Sequence, residues 1–124
     1  MNLLLDTHAL LWWWADEPLD DAATSRISAS GTLVAVSAAS LWEIAVKSGV
    51  GKLSIDGSTV DNVAASGFLP LPISLAHAER AGQLPRHHRD PFDRMLVAQA
   101  QIERLTIVTR DPRFDAYDIE ILKC

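Results

Sequence analysis

Leu3-Leu4-Leu5-Asp6-Thr7-His8 is an apolar run of strand length that ends abruptly in a carboxylate. Uninterrupted apolar residues suit a strand covered on both faces, as in a parallel sheet flanked by helices. In open sheets of that kind ligands collect just outside the carboxyl ends of the strands, so a first strand that ends on Asp6 aims a charge into the crevice. A plainer role is also open to Asp6 or Thr7. Either could cap a helix over His8 to Ala15, because a short oxygen-bearing side chain satisfies free N–H groups at a helix start. Acids in equivalent places further along the chain would decide between the two.

The composition sets bounds on the answer. The chain has 124 residues, of which 48% are hydrophobic and 22% charged, which fits a single domain over 1–124 with a layered core. The one cysteine, Cys124, allows no internal disulfide and points to a reducing compartment. No apolar stretch approaches the roughly 18 residues of a spanning helix, and no basic region precedes the first apolar residues. The expectation is a soluble cytoplasmic chain with no membrane partner. A formal net charge of −5 excludes a domain that grips nucleic acid through a broad basic face. If the substrate is a polyanion, cations must mediate.

Beyond the first strand, Ala9-Leu10-Leu11-Trp12-Trp13-Trp14 reads as a helix. Consecutive helical positions lie about 100° apart, so the three tryptophans cannot all face one core. They are either a bulky core helix with a snorkelling indole or an aromatic patch for another chain. Glu17-Pro18 breaks the helix, Leu19 to Ser30 reads as a more polar helix closed by Gly31, and Thr32 to Val36 is the second apolar strand. A strand, helix, helix, strand order implies a crossover and parallel pairing.

Ser37 to Ser48 follows as a helix that is apolar nearly all round, with Glu43 as its one acid. Ser40 and Glu43 have capping-box spacing, and Lys47 lies one turn on as an ion-pair partner. Glu43 also sits early in a helix leaving the same sheet edge as Asp6. The glycine-punctuated Gly49-Val50-Gly51-Lys52 and Ile55-Asp56-Gly57 fall short of a phosphate loop and carry no assigned chemistry. Ser58 to Ser66 is a short helix, Phe68 to Ile73 an edge strand because its prolines cannot donate to a ladder, and Ser74 to Ala81 a further helix.

Asp90-Pro91-Phe92-Asp93-Arg94-Met95-Leu96-Val97 opens with a strong helix start, Asp90 as N-cap and Pro91 at the first helical position. Asp93 then lies in the first turn, where it could simply favour the helix dipole. Yet it shares a stripe with Leu96, Val97 and Ala100, and a carboxylate on a buried stripe is costly unless something positive meets it. Thr106-Ile107-Val108-Thr109 repeats the opening pattern, an apolar strand followed by Arg110-Asp111-Pro112, although Asp111 could equally cap a short helix. Ile119 to Leu122 closes the sheet.

Taken together, Asp6 and Asp111 stand at strand ends while Glu43 and Asp93 stand in the first turns of helices leaving that edge. Acids converging on one crevice repel strongly, and divalent cations are the economical remedy. Oxygen ligands without a Cys/His cluster favour Mg²⁺ or Mn²⁺ over zinc, with one or two ions both possible. The four histidines read as peripheral, His87 and His88 in a basic loop and His8 and His77 without a partner at ligand spacing.

These residues resemble the PIN-domain ribonucleases, and among them the toxin component of VapBC-type toxin–antitoxin pairs. The resemblance runs the whole length, through Asp6 in Leu-Leu-Asp-Thr-His, Glu43 in Ser-Leu-Trp-Glu-Ile, Asp93 in Asp-Pro-Phe-Asp-Arg-Met-Leu-Val-Ala-Gln-Ala and Asp111 in Thr-Arg-Asp. It implies a three-layer α/β/α fold on a five-stranded parallel sheet in order 3-2-1-4-5. It also implies metal-dependent cleavage of RNA, a homodimer, a cognate antitoxin, and contact with DNA only through that antitoxin. Asp6, Glu43 and Asp93 are then the expected metal ligands and catalytic acids, with Asp111 beside them. Glu43 is also the acceptor of the nucleophile's proton, acting partly through water, and Thr109 orients Asp6 from behind. Arg94, Arg110 and Lys47 are the candidates for the RNA backbone, and Trp12, Trp13 and Trp14 for the partner interface. Two rivals stand against this reading. One is a catalytically silent interaction module of the same fold, in which the acids are caps. The other is a metal-dependent phosphatase, which would want a second acid where His8 stands.

Overall fold

A computed structural model describes residues 2–51, 53, 55 and 57–124 of the chain. Lys52 and Asp56 of the glycine-punctuated connection lie outside the described residues. In chain order the elements are β1 (Leu3–Leu5), α1 (Thr7–Trp14), α2 (Asp21–Ser28), β2 (Val34–Ser37), α3 (Ala38–Gly49), α4 (Thr59–Ala65) and β3 (Leu69–Leu71). They continue with α5 (Leu75–Gln83), α6 (Pro91–Glu103), β4 (Thr106–Thr109), a 3-10 helix (Pro112–Ala116) and β5 (Ile121–Lys123).

The strands form a five-stranded sheet in the order β3-β2-β1-β4-β5, and every pairing is parallel. Leu3 stands level with Val34 on one side and Thr106 on the other, so β1 is the central strand. Side chains alternate across a strand, which explains why β1 is apolar at every position. Leu3 and Leu5 enter one buried cluster with Leu10, Ile27, Val36, Ile44, Phe68 and Val108. Leu4 enters the other with Ala35, Leu96, Val97, Ile107, Phe114 and Tyr117. Helices α1, α2 and α4 thus cover one face, α6 and the 3-10 helix the other, and α3 supplies Ile44 to the first cluster and Ala39 to the second.

Most element ends shift by one to three residues from the expectation, and the end of β2 does so in an instructive way. The second strand runs to Ser37, which is fully buried and also caps α3 by accepting the Ala39 N–H through Oγ at 3.0 Å. The capping-box reading of Ser40 is therefore corrected: Ser40 Oγ accepts from Thr7 Oγ1 at 3.0 Å and ties α3 to α1. β3 is a short edge strand, as its prolines require, with Pro70 level with Val36. Among the described residues no helix is long and apolar enough to cross a membrane.

The chain leaves β1 toward β2 and β3 on one side and returns to β4 and β5 on the other. The order reverses between β1 and β4, and a crevice opens at such a reversal above the carboxyl ends of the strands. Asp6 follows β1 there, and Asp111 follows β4.

Candidate metal centre

Asp6 does both things the sequence left open. Oδ1 accepts the Ala9 N–H at 2.7 Å, capping α1, while Oδ2 accepts the Thr109 hydroxyl at 2.5 Å. The same hydroxyl accepts the Asp111 N–H at 3.0 Å, so Thr109 joins the ends of β1 and β4. Burial raises the Asp6 carboxyl above its ordinary range, opposed by the Thr109 and Ala9 hydrogen bonds.

Glu43 is carried in by α3 and is 3% exposed. Its Oε2 accepts Lys47 Nζ at 2.6 Å, the ion pair the spacing anticipates. Its Oε1 is buried with no hydrogen-bond partner among the described residues. Lys47 is therefore committed to the acid cluster, and its ammonium is held above its usual range chiefly by Glu43.

Asp93 enters from the first turn of α6, where Asp90 Oδ1 accepts the N–H groups of Phe92 and Asp93 at 2.8 and 3.1 Å. Its carboxyl is pushed up to about 8, first by burial and then by the charges of Asp90, Glu43, Asp6 and Asp111. All the predicted acids thus act electrostatically on one group, joined by Asp90, which the sequence reading treated only as a cap. Asp111 is the exception in kind. Arg113 grips it through Nε at 3.1 Å to both oxygens and through Nη2 at 2.8 Å, and that contact holds its carboxyl below the ordinary range against partial burial. It also caps the 3-10 helix through the Arg113 N–H.

The expectation that the histidines are peripheral is corrected at His88. His88 is buried, and its Nε2 lies 2.7 Å from Asp93 Oδ2. One ligand-capable atom from each of His88, Asp93 and Asp111 lies within 4.8 Å of the others, a grouping able to hold a metal ion. The basic-loop reading failed because only His88 of the pair turns inward. His87 is exposed, with its ring 5.2 Å from that of Tyr117. His77 is also buried, but it serves as the return partner of Ser74 in a capping box on α5.

The structure does not deliver every predicted cation to the crevice. Arg94 donates to the carbonyls of Ala81, Leu84 and Pro85 at 2.8, 3.0 and 3.0 Å, closing the carboxyl end of α5. Its donors are occupied by backbone, which corrects the expectation that it faces RNA. Arg110 is exposed, with its guanidinium 4.1 Å from the centre of the Trp12 ring and one donor on the Pro18 carbonyl at 2.8 Å.

The three tryptophans are all half-buried. Trp12 lies between His8 and Arg110, Trp13 packs near Phe68, and Trp14 Nε1 donates to Ser66 Oγ at 3.0 Å. The open tryptophan is Trp42 on α3, 63% exposed and edge-on to Phe92 at 5.2 Å. It was missed because the run of three drew attention away from a lone residue. Trp42 lines an apolar groove of about 310 Å³ with Ile73, Pro91, Phe92 and Met95, and a separate groove of about 570 Å³ is lined by Leu41, Val60, Val63, Phe68, Leu71 and Pro72 between α3, α4 and β3.

A cluster of acids at a sheet's topological switch point, with one buried carboxylate oxygen that has no partner among the described residues, fits a hard divalent cation. Asp93 and Asp111 bring carboxylate oxygens within 4.8 Å of one another and of His88 Nε2, and Asp6 and Glu43 add their charge to the same group.

Comparison with known proteins agrees with this fold. Residues 3–120 match the family model described as the PIN domain. Among solved structures, DNA-bound VapBC from Salmonella typhimurium superposes with a TM-score of 0.74 at 20% identity, covering 99% of this chain and 98% of the other. VapBC2 from Rickettsia felis, bound to a promoter DNA fragment, gives 0.70 at 16% identity, with 99% and 98% covered. FitAcB from Neisseria gonorrhoeae gives 0.65 at 22% identity, with 97% and 96% covered. No curated protein matches the chain in sequence.

Proposed function

This chain belongs to the PIN domain family, and from that membership we propose that it is a Mg²⁺- or Mn²⁺-dependent endoribonuclease acting as the toxin of a toxin–antitoxin pair. The observation that carries the proposal is Asp93. Burial and neighbouring acids raise its carboxyl to about 8, an arrangement whose electrostatic cost a bound divalent cation relieves.

Asp6, Glu43 and Asp93 would hold the ion, with Asp111 at the margin because Arg113 already pairs with it. When bound, a divalent ion supplies the charge that draws a phosphodiester to an acidic crevice and acidifies the attacking water. The protein's own part is positional. Thr109 fixes one oxygen of Asp6, and Ala9 N–H fixes the other side of the same carboxylate. Glu43 Oε1 has no partner among the described residues and is the atom we assign to receive the proton of the nucleophile. Arg110, exposed beside Asp111, is the cation we assign to the RNA backbone.

A protein partner is part of the proposal. The solved relatives include VapBC and FitAcB, and here Val60 is exposed at the 570 Å³ apolar groove and Trp42 at a second one shared with Phe92 and Met95. Exposed apolar surface of that kind marks an interface. An antitoxin peptide and a second copy of the chain are the partners we assign to such surfaces.

The deciding experiment is cleavage of a structured RNA pool with Mg²⁺ or Mn²⁺, comparing the chain with Asp93→Asn and with an EDTA control. Metal-dependent products that disappear in the variant support the nuclease. Absence of products together with absence of Mn²⁺ binding by calorimetry would leave a silent interaction module.

A further inference from the structure

His88 stands behind the acid cluster, and the hydrogen bonds around its ring define what it can do. Nδ1 accepts the Asp90 N–H at 3.3 Å, so in the neutral ring the proton resides on Nε2. That N–H donates to Asp93 Oδ2 at 2.7 Å. The His88 backbone N–H donates to the Tyr117 hydroxyl at 3.0 Å, which in turn donates to the Pro85 carbonyl at 3.1 Å. Phe114 meets the ring edge-on, with centroids 6.1 Å apart. Both ring nitrogens, the backbone and the ring itself are therefore fixed.

Although His88 Nε2 lies close enough to Asp93 and Asp111 to share a metal with them, a nitrogen that carries its proton has no lone pair to offer. Turning it into a ligand would move the proton to Nδ1 and set it against the Asp90 N–H. We infer that His88 is a positioning residue that engages one lone pair of Asp93 Oδ2, turns Oδ1 toward a cation as the less hindered oxygen, and thereby biases the centre toward Mg²⁺ or Mn²⁺ and against Ca²⁺. Small ions of the first kind demand near-octahedral geometry, whereas Ca²⁺ takes more oxygens and readily uses both oxygens of a carboxylate. A hydrogen bond already held by Oδ2 disfavours that second mode. Partners of metal-ligating side chains commonly tune affinity in this way. The inference rests on the metal-centre reading above and specifies which ion that centre prefers.

The test is calorimetric titration of MnCl₂ and CaCl₂ into the full chain and into His88→Asn, His88→Gln and Asp93→Asn. Asparagine keeps an acceptor near the Asp90 N–H but is too short to reach Asp93, while glutamine carries an N–H at about the reach of Nε2. The expected result is that His88→Asn lowers Mn²⁺ affinity about 10- to 100-fold and Ca²⁺ affinity much less, and that His88→Gln restores the original preference. Equal losses for both ions, or an unchanged Mn²⁺ to Ca²⁺ ratio in His88→Asn, overturn the inference. If in that case Asp93→Asn still abolishes Mn²⁺ binding, the metal centre stands without it. If the unmodified chain takes up neither ion, both readings fall.

Discussion

The Thr109 hydroxyl donates to Asp6 Oδ2 at 2.5 Å and accepts the Asp111 N–H at 3.0 Å. One oxygen atom thus links the central strand's acid to the turn after β4. Thr109→Val keeps the shape and removes the hydroxyl, leaving a buried carboxylate oxygen and an amide unsatisfied. The expected cost is about 1–3 kcal/mol by urea unfolding in EDTA, with weaker Mn²⁺ binding, and Thr109→Ser should recover most of both. A valine variant as stable as the original would show that the link contributes nothing.

The pH dependence of the metal-free chain follows from Asp93. Its carboxyl is raised from 3.8 to about 8 in the folded protein, so between those values the native chain holds a proton that the unfolded chain releases. Stability must then fall as pH rises through that window, by up to about 1.4 kcal/mol per pH unit for one proton. Asp6, also raised, acts in the same direction. Unfolding in EDTA at about pH 5 and about pH 8 should show the decline, and Asp93→Asn should flatten it. Stability that rises over this interval in both proteins would contradict the assignment.

Lys47 holds the buried Glu43 at 2.6 Å. Lys47→Met removes the only cation bonded to Glu43 among the described residues. Because the lysine is partly exposed, a loss of about 1–3 kcal/mol is expected in EDTA. Added Mn²⁺ should return a larger share of the melting temperature to the variant than to the parent, since it restores positive charge to the same acids. Equal metal-induced shifts would separate Lys47 from the cluster.

Arg94 and Arg110 should behave oppositely. Arg94→Ala strands the carbonyls of Ala81, Leu84 and Pro85 and should lower stability at any salt concentration. Arg110→Ala should leave the fold within about 0.5 kcal/mol, as exposed substitutions usually do. It should also reduce RNA affinity and the steepness of its salt dependence. Filter binding across a salt series distinguishes them, and an Arg110 variant with unaltered RNA affinity would remove it from the binding surface.

How much of this was legible in the sequence depended on how local each cause is. β1 is apolar at every position and β4 at its two central ones because both faces are buried, and that signal lies within three or four residues. Ser37 blurred the end of β2 because it fills a strand position and a cap at once. The acids could be placed at one edge because parallel strands end together, a rule of topology rather than of contact. His88 could not, because its inward turn depends on Tyr117, 29 residues away, and on Phe114. Arg94 was misread for a similar reason. The carbonyls it satisfies belong to the end of α5, whose approach to α6 is written in no short stretch.

The Thr109 to Asp6 link spans 103 positions of chain, which orders events during synthesis. Asp6 precedes its β4 partner by that whole separation, so a growing chain carries the acid well before the hydroxyl that holds it. Since chains emerge from the N-terminal end first, an unfinished product carries Asp6, Glu43 and even Asp93 without the strand that brings them into register.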